Sequence, residues 1–127
     1  MTRWQHIEFQ NLDGVLHVKT LLCKLLDAQG IAVWGQELIT AYDESGLKKV
    51  ILDFSQVEFM TSTAIGRLLA LARHMNGSRE SKCLNLVLSN LREDILSVFE
   101  QTRIVPLCWR HFATVDQALA ALRGENG

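Results

Sequence analysis

No run of basic residues, no acidic tail and no long apolar stretch interrupts this sequence of 127 residues. Nucleic-acid-binding domains cluster Lys and Arg on one face; here 13 basic side chains are scattered among 14 acidic ones, for a net charge of −1. A bilayer span needs roughly 18 to 20 apolar residues, and no run approaches that. Met1 to Gln10 is polar and lacks the apolar core of a signal peptide. The expectation is no nucleic-acid contact and no membrane insertion. Cysteine is scarce too. Cys23, Cys83 and Cys108 are an odd, widely spaced set that offers no disulfide framework. They read as reduced thiols, Cys83 and Cys108 within strands, in a cytoplasmic protein.

Signatures of catalysis are also missing. His6, His17, His74 and His111 lack paired helical spacing, and Cys108 with His111 has no second ligand pair, whereas zinc asks for about four ligands. No third group orients a Cys–His pair for nucleophilic attack. Gly66 stands alone, and Gly14, Gly30 and Gly35 form no phosphate-cradling fingerprint. Asp53 and Glu58 could pair as acids, but Asp53 at a strand end reads first as a loop-capping carboxylate. Trp4, Trp34 and Trp109 are scattered and read as half-buried packing residues. The expectation is a protein that is not an enzyme: no catalytic residue, no metal, no cofactor.

What is present is an ordinary globular balance, 48% hydrophobic and 21% charged, over a length that suits one domain spanning 1–127 with a core of about 5–123. Ile7, Phe9, Leu12, Val15, Leu16 and Val18 outline two strands. Asp13-Gly14 between them is a hairpin turn, because both residues tolerate the left-handed backbone. Leu21 to Leu26 is apolar and ambiguous. Asp27 caps a helix striped by Ile31, Trp34, Leu38, Ala41 and Tyr42, weakened by Gly35 and stopped by Gly46. Val50 to Phe54 is a central strand, apolar on both faces and so covered on two sides. Ser55 to Met60 is a loop or short extended segment. A second helix begins near Ser62 with an apolar series Ile65, Leu68, Leu69, Ala72 and Met75, and ends at Asn76-Gly77-Ser78.

Cys83 to Leu88 reads as a buried strand. Asn90 with Glu93 opens a third helix, faced by Leu91, Ile95, Val98 and Phe99. Ile104 to Trp109 reads as an edge strand, since Pro106 removes a ladder donor. Thr114 with Gln117 opens a last helix striped by Val115, Ala118, Leu119 and Leu122 and ended by Gly124; Glu125 to Gly127, at the end of the sequence, are expected to fray. The order β-β-α-β-α-β-α-β-α predicts an α/β fold with a mixed, mostly parallel sheet.

One segment carries a resemblance. Asp53-Phe54-Ser55-Gln56-Val57-Glu58-Phe59-Met60-Thr61-Ser62-Thr63-Ala64-Ile65-Gly66 is similar to the signature loop of STAS domains, which reads roughly Asp-Leu-Ser, an apolar pair, Asp-Ser-Ser or Asp-Ser-Thr, then Gly-Leu-Gly. The element order from about Ile7 to Leu122 and the stretch Asn90 to Thr102 also resemble that family, in particular the anti-sigma factor antagonists. The resemblance implies a STAS fold: a mixed, mostly parallel sheet with about four helices in a single layer upon it. It implies a protein-binding switch in which an anti-sigma factor serine kinase phosphorylates a hydroxyl at the start of the second helix and a PP2C-type phosphatase resets it. Ser62 matches the phosphoacceptor, with Thr63 as the alternative. Two positions depart from the pattern: Thr61 replaces the acidic residue and Ala64 the glycine. They motivate a second reading, a constitutive scaffold subunit of a signalling complex. A third is a small-molecule-binding module.

The loop's own physics fits the switch. Ser62 stands where a side-chain oxygen can cap the helix. A phosphate there adds about −1.5 to −2 charges, tolerated by the helix N-terminus but not by a partner that must desolvate it. Losing about 3 kcal/mol weakens binding more than a hundredfold. The surface expected to meet the partner comprises Asp53, Ser55, Glu58, Thr61, Ser62 and Thr63 from the loop. Arg67, Leu71 and His74 join it from the solvent face of the second helix, with Leu71 as an exposed apolar anchor.

Overall fold

A computed structural model describes residues 4–124. The chain opens with a hairpin, β1 (Ile7–Leu12) and β2 (Val15–Thr20), paired antiparallel with Phe9 opposite Val18. Its turn is the expected one: Asp13 and Gly14 adopt φ of 53° and 87°, and the Gly14 N–H donates to Asn11 Oδ1 at 2.7 Å. The ambiguous stretch after it holds β3 (Lys24–Leu25), which pairs with β5 (Phe59–Met60) in a two-stranded parallel ribbon. The main sheet runs β1-β2-β4-β6-β7, where β4 is Lys49–Asp53, β6 Leu86–Ser89 and β7 Arg110–Phe112. Every pair after the hairpin is parallel, giving the mixed, mostly parallel sheet expected.

Side chains alternate across β4, and the two faces are filled by different helices. Val50 and Leu52 join the main cluster with Ile31 and Trp34 of α1 (Ala28–Ser45), Leu68 of α2 (Ser62–Asn76) and Phe99 of α3 (Glu93–Gln101). Ile51 joins Val15, Val87, Ala118 and Leu122 on the opposite face, under α5 (Val115–Gly124). The expected single layer of helices is therefore corrected: α5 covers the second face, as the doubly apolar β4 requires.

Local signals hold for most elements. Asp27 Oδ2 accepts from the Gly30 N–H at 2.7 Å, Thr114 Oγ1 from the Gln117 N–H at 3.1 Å, and Gly46 and Gly77 end α1 and α2 at φ of 69° and 66°. Gly35 does not break α1. A Cβ there would lie 2.8 Å from Arg67 Cδ, so glycine lets α1 and α2 approach closely at a helix-propensity cost of about 1 kcal/mol. Trp34 and Trp109 are fully buried rather than half-buried. Their indole N–H groups donate to Thr20 Oγ1 at 3.1 Å and the Ser81 carbonyl at 2.9 Å, which is what makes complete burial affordable. Glu37, also buried, accepts from the Gln5 and His6 amides at 2.6 and 2.9 Å and anchors the lead-in to β1.

Other expectations are corrected. Cys83 lies before β6, and Cys108 caps α4 (Ile104–Leu107), so neither thiol is in a strand. The Ile104 to Trp109 strand is replaced by α4, a single turn broken by extended Val105 (φ −107°, ψ 126°), and the edge strand starts at Arg110. Pro106 supplies no ladder N–H, so pairing begins beyond it. Arg92, not Asn90, stands at the N-cap of α3. Val98 is 47% exposed.

The largest correction is the rotation of α2. Its buried residues are Ala64, Leu68, Leu71 and Ala72, and Leu71 is 1% exposed. The cause is α1. Arg67 lies over Gly35, and His74 Nε2 pairs with Asp43 Oδ1 at 2.7 Å beside Tyr42, 5.9 Å between rings. The flank bearing Arg67, Leu71 and His74 thus packs on α1, so Leu71 is not an exposed anchor. Leu71→Ala is expected to destabilise by about 2–5 kcal/mol in urea unfolding. A change within about 0.5 kcal/mol, the usual surface value, would contradict this packing.

Candidate functional site

The β4–α2 connection begins at Asp53, the last residue of β4. Its carboxylate is buried and hydrogen-bonded on both oxygens. His17 Nε2 lies 3.1 Å from Oδ2, Asn90 Nδ2 donates to Oδ1 at 3.0 Å, and the Ser55 N–H donates to Oδ1 at 2.9 Å. Burial alone would raise this carboxyl. The bonds from His17, Asn90 and Ser55 outweigh it and hold the group well below the usual carboxylate range. Gln10 Nε2 in turn meets His17 Nδ1 at 3.2 Å. A polar chain therefore crosses the sheet from β1 through β2 to the end of β4.

Asn90 reaches Asp53 because its backbone is left-handed, φ 59°, a conformation Asn tolerates. Its own N–H donates to the Phe112 carbonyl at 3.2 Å. The next amide, Leu91, donates to His111 Nε2 at 3.2 Å. Nε2 must then be unprotonated, consistent with burial pushing the His111 pKa down.

Beyond Asp53 the loop is stitched down. Phe54 and Val57 are buried, and the Val57 N–H closes a turn onto the Phe54 carbonyl at 3.0 Å. Glu58 and Phe59 donate to the Cys23 carbonyl at 2.6 and 3.2 Å, and Thr61 to the Leu25 carbonyl at 3.1 Å. Thr61 is the N-cap of α2 in an extended conformation, yet makes no side-chain cap bond. Its Oγ1 is buried without a hydrogen-bond partner. The expected cap is corrected: Ser62 is the first helical residue, and both Ser62 and Thr63 are exposed. The first turn of α2 holds no acidic residue, so the positive end of its dipole is uncompensated exactly where those hydroxyls project.

Beside them runs a cleft of about 290 Å³ between the loop and α3, lined by Glu58, Phe59, Met60, Ile65, Asp94 and Val98. Phe59 is 54% exposed. Of the residues the sequence singled out, Asp53 and Ser55 share one hydrogen-bond network, Thr61, Ser62 and Thr63 form the helix start, and Glu58 lines the cleft. Arg67, Leu71 and His74 lie on the α1 flank instead. His17, Asn90, Phe59 and Val98 were missed. A lone histidine in the alternating pattern of β2 was the available signal for the first; Asn90 needed the β4–β6 register, which sets Asp53 beside Ser89.

The profile of the STAS domain matches residues 10–118. Its span covers most of the chain, and the chain belongs to the STAS domain family. None of the curated proteins matches it by sequence. Among solved structures it is similar to an anti-sigma-factor antagonist (STAS) domain protein from Planctomyces limnophilus, with TM-score 0.73, 19% identity, and 91% of this chain and 95% of that one covered. It is similar to the Bacillus cell fate determinant SpoIIAA in its phosphorylated form, with TM-score 0.64, 19% identity, and coverage of 92% and 99%. It is also similar to a chain of the stressosome, described as a signal integration and transduction hub, with TM-score 0.65, 11% identity, and coverage of 94% and 98%. At these identities the likeness is one of fold. No helix among the described residues is long and apolar enough to cross a membrane, and no three His, Cys, Asp or Glu side chains among them converge as metal ligands.

A carboxyl whose folded-state pKa lies below its ordinary value of 3.8 stabilises the fold above that value, and the contribution is lost as pH falls through and below it. Asp53→Asn is expected to lower stability by about 1–3 kcal/mol at neutral pH. It should also flatten the loss of stability between about pH 5 and pH 2. Urea unfolding at stepped pH checks this; an acid limb as steep as in the parent protein would refute it.

Proposed function

We propose that this chain is a protein-binding switch of the anti-sigma factor antagonist type, controlled by phosphorylation of Ser62 or, in its place, Thr63. One observation carries the reading: two exposed hydroxyls stand at an uncapped helix N-terminus beside an apolar cleft. The unmodified face joins Ser62 to Phe59, Ile65 and Val98, an apolar strip with Glu58 and Asp94 at its rim. A partner seated there desolvates the start of α2. A dianion at Ser62 keeps its water in the free protein, where the helix dipole favours it, and must shed it in the complex. The fitting partner is an anti-sigma factor serine kinase, with a PP2C-type phosphatase restoring the free hydroxyl. The domain, 1–127, works by binding and not by catalysis, in the cytoplasm.

A second reading has its own support. Thr61 brings no charge to the helix start, and buried Ala64 stands where the family pattern has glycine. A constitutive subunit of a signalling assembly would use the same cleft without modification.

The switch predicts phosphate on Ser62 or Thr63 after incubation with the kinase. It also predicts at least a hundredfold loss of affinity for the kinase in Ser62→Asp, measured by calorimetry, with Ser62→Ala close to the parent. Val98→Asp should weaken binding in either reading. Equal affinity of Ser62→Asp and parent, with neither hydroxyl modified, would remove the switch and favour the constitutive subunit.

A further inference from the structure

Two neighbouring amides tie the lead-in of α3 to β7, and only one of their two acceptors can take a proton. Arg92 stands at the N-cap of α3 without a side-chain cap bond, so the lead-in is held from outside. The Asn90 N–H donates to the Phe112 carbonyl and the Leu91 N–H to His111 Nε2, each at 3.2 Å. Leu91 is buried in the main cluster, and Ile95, Val98 and Phe99 further along α3 line the cleft. The His111 imidazole is half-buried. Glu100 of α3 favours its proton, but burial outweighs that pull and favours the neutral ring. Arg92, Glu93 and Asp94 at the start of α3 are exposed, with Arg92 3.6 Å from Asp94. Arg110, next on β7, sends Nη2 to the Leu84 carbonyl at 2.8 Å. β6 has no ionisable side chain. α4 has no charged side chain and ends at the Cys108 thiol. α5, with Asp116, covers the opposite face of the sheet.

We infer that His111 is a proton-operated latch on the entrance to α3, and through α3 on one wall of the partner cleft. An imidazole accepts a hydrogen bond only through a nitrogen that lacks a proton. With Nε2 accepting from Leu91, the neutral ring carries its proton on Nδ1. A second proton goes to Nε2 and sets one donor against another. The Leu91 N–H then loses its acceptor, and the ring turns away or leaves that amide to water. Phe112 keeps its hold on Asn90, because a backbone carbonyl does not titrate. Acid therefore loosens α3 from Leu91 onward, while the turn at Asn90 and its bond to Asp53 stay. A histidine whose folded-state pKa lies below its ordinary 6.5 adds stability above that value, and the addition is lost as pH falls below it. The consequence for binding rests on the reading that a partner seats in this cleft; the latch is a property of the chain alone.

The test follows the full chain by NMR from about pH 8 to about pH 4.5, spanning the range in which histidines titrate, with no partner present. Ring-nitrogen spectra give the tautomer and charge of His111. Amide hydrogen exchange, corrected for its intrinsic pH dependence, gives protection. The expected result is the Nδ1–H tautomer at the upper end, then a fall of about threefold or more in Leu91 protection as the ring gains its second proton. Asn90 protection should hold. In His111→Gln, whose amide oxygen accepts at every pH, Leu91 protection should no longer respond to acid. Should that variant fold poorly, the parent protein decides by itself. The inference is overturned by a neutral ring protonated on Nε2, by a ring that stays neutral throughout, by Leu91 protection that holds while the ring protonates, or by an equal loss at Asn90. None of these readouts involves the partner, so failure of the latch and failure of the Ser62 switch are seen separately.

Discussion

A buried carboxylate at the end of a central strand costs stability unless hydrogen-bond donors meet its oxygens, and Asp53 finds its donors on separate segments. His17 comes from β2, Asn90 from the turn after β6, and the Ser55 amide from the loop itself. Each is far away in sequence or locked by geometry, so the bonds tie the start of the β4–α2 loop to the sheet on both sides. Net contributions of charged hydrogen bonds are about 1.5–3 kcal/mol each, and desolvation of the carboxylate subtracts from them. The direction of its pKa shift says which effect wins. From that fixed point the loop drops Phe54 and Val57 into the core, joins the β3 lead-in and delivers Thr61 to the start of α2.

The consequence at the helix start is a division of labour. Thr61 takes the N-cap position but turns its hydroxyl inward, where Oγ1 has no partner. The next two residues are left with free, exposed hydroxyls on the positive end of a fifteen-residue helix. Such an end stabilises added negative charge by about 0.3–1 kcal/mol at an exposed site. A covered interface reverses that balance. The apolar side chains of Phe59, Ile65 and Val98 line the cleft between this loop and α3.

Much of this was legible in the residues. Asp13-Gly14, Asp27, Gly46, Gly77 and the Thr114–Gln117 pair are short-range signals whose mechanisms act within a few residues, and each sits where the sequence placed it. The signature loop and the exposure of Ser62 and Thr63 were readable as well. What escaped depends on contacts between elements. The periodicity of α2 admits a buried face centred on either Ile65 and Leu69 or Ala64 and Leu71; the close α1 crossing over Gly35 selects the second. That crossing removed Leu71 from the surface and left Ile65 beside the cleft. Asn90 resembled a cap by spacing alone, yet the left-handed turn that aims it at Asp53 exists only once β6 lies beside β4. Pro106 signalled an edge correctly, but ladder pairing waits until Arg110.

The Asp53 network holds the loop that presents Ser62 and Thr63. Amide hydrogen exchange in Asp53→Ala tests it most directly. The amides of Glu58, Phe59, Thr61, Ala64 and Ile65 are expected to lose protection while those of β6 keep theirs. Loop amides as protected as in the parent protein, or a uniform loss across loop and sheet, would contradict it.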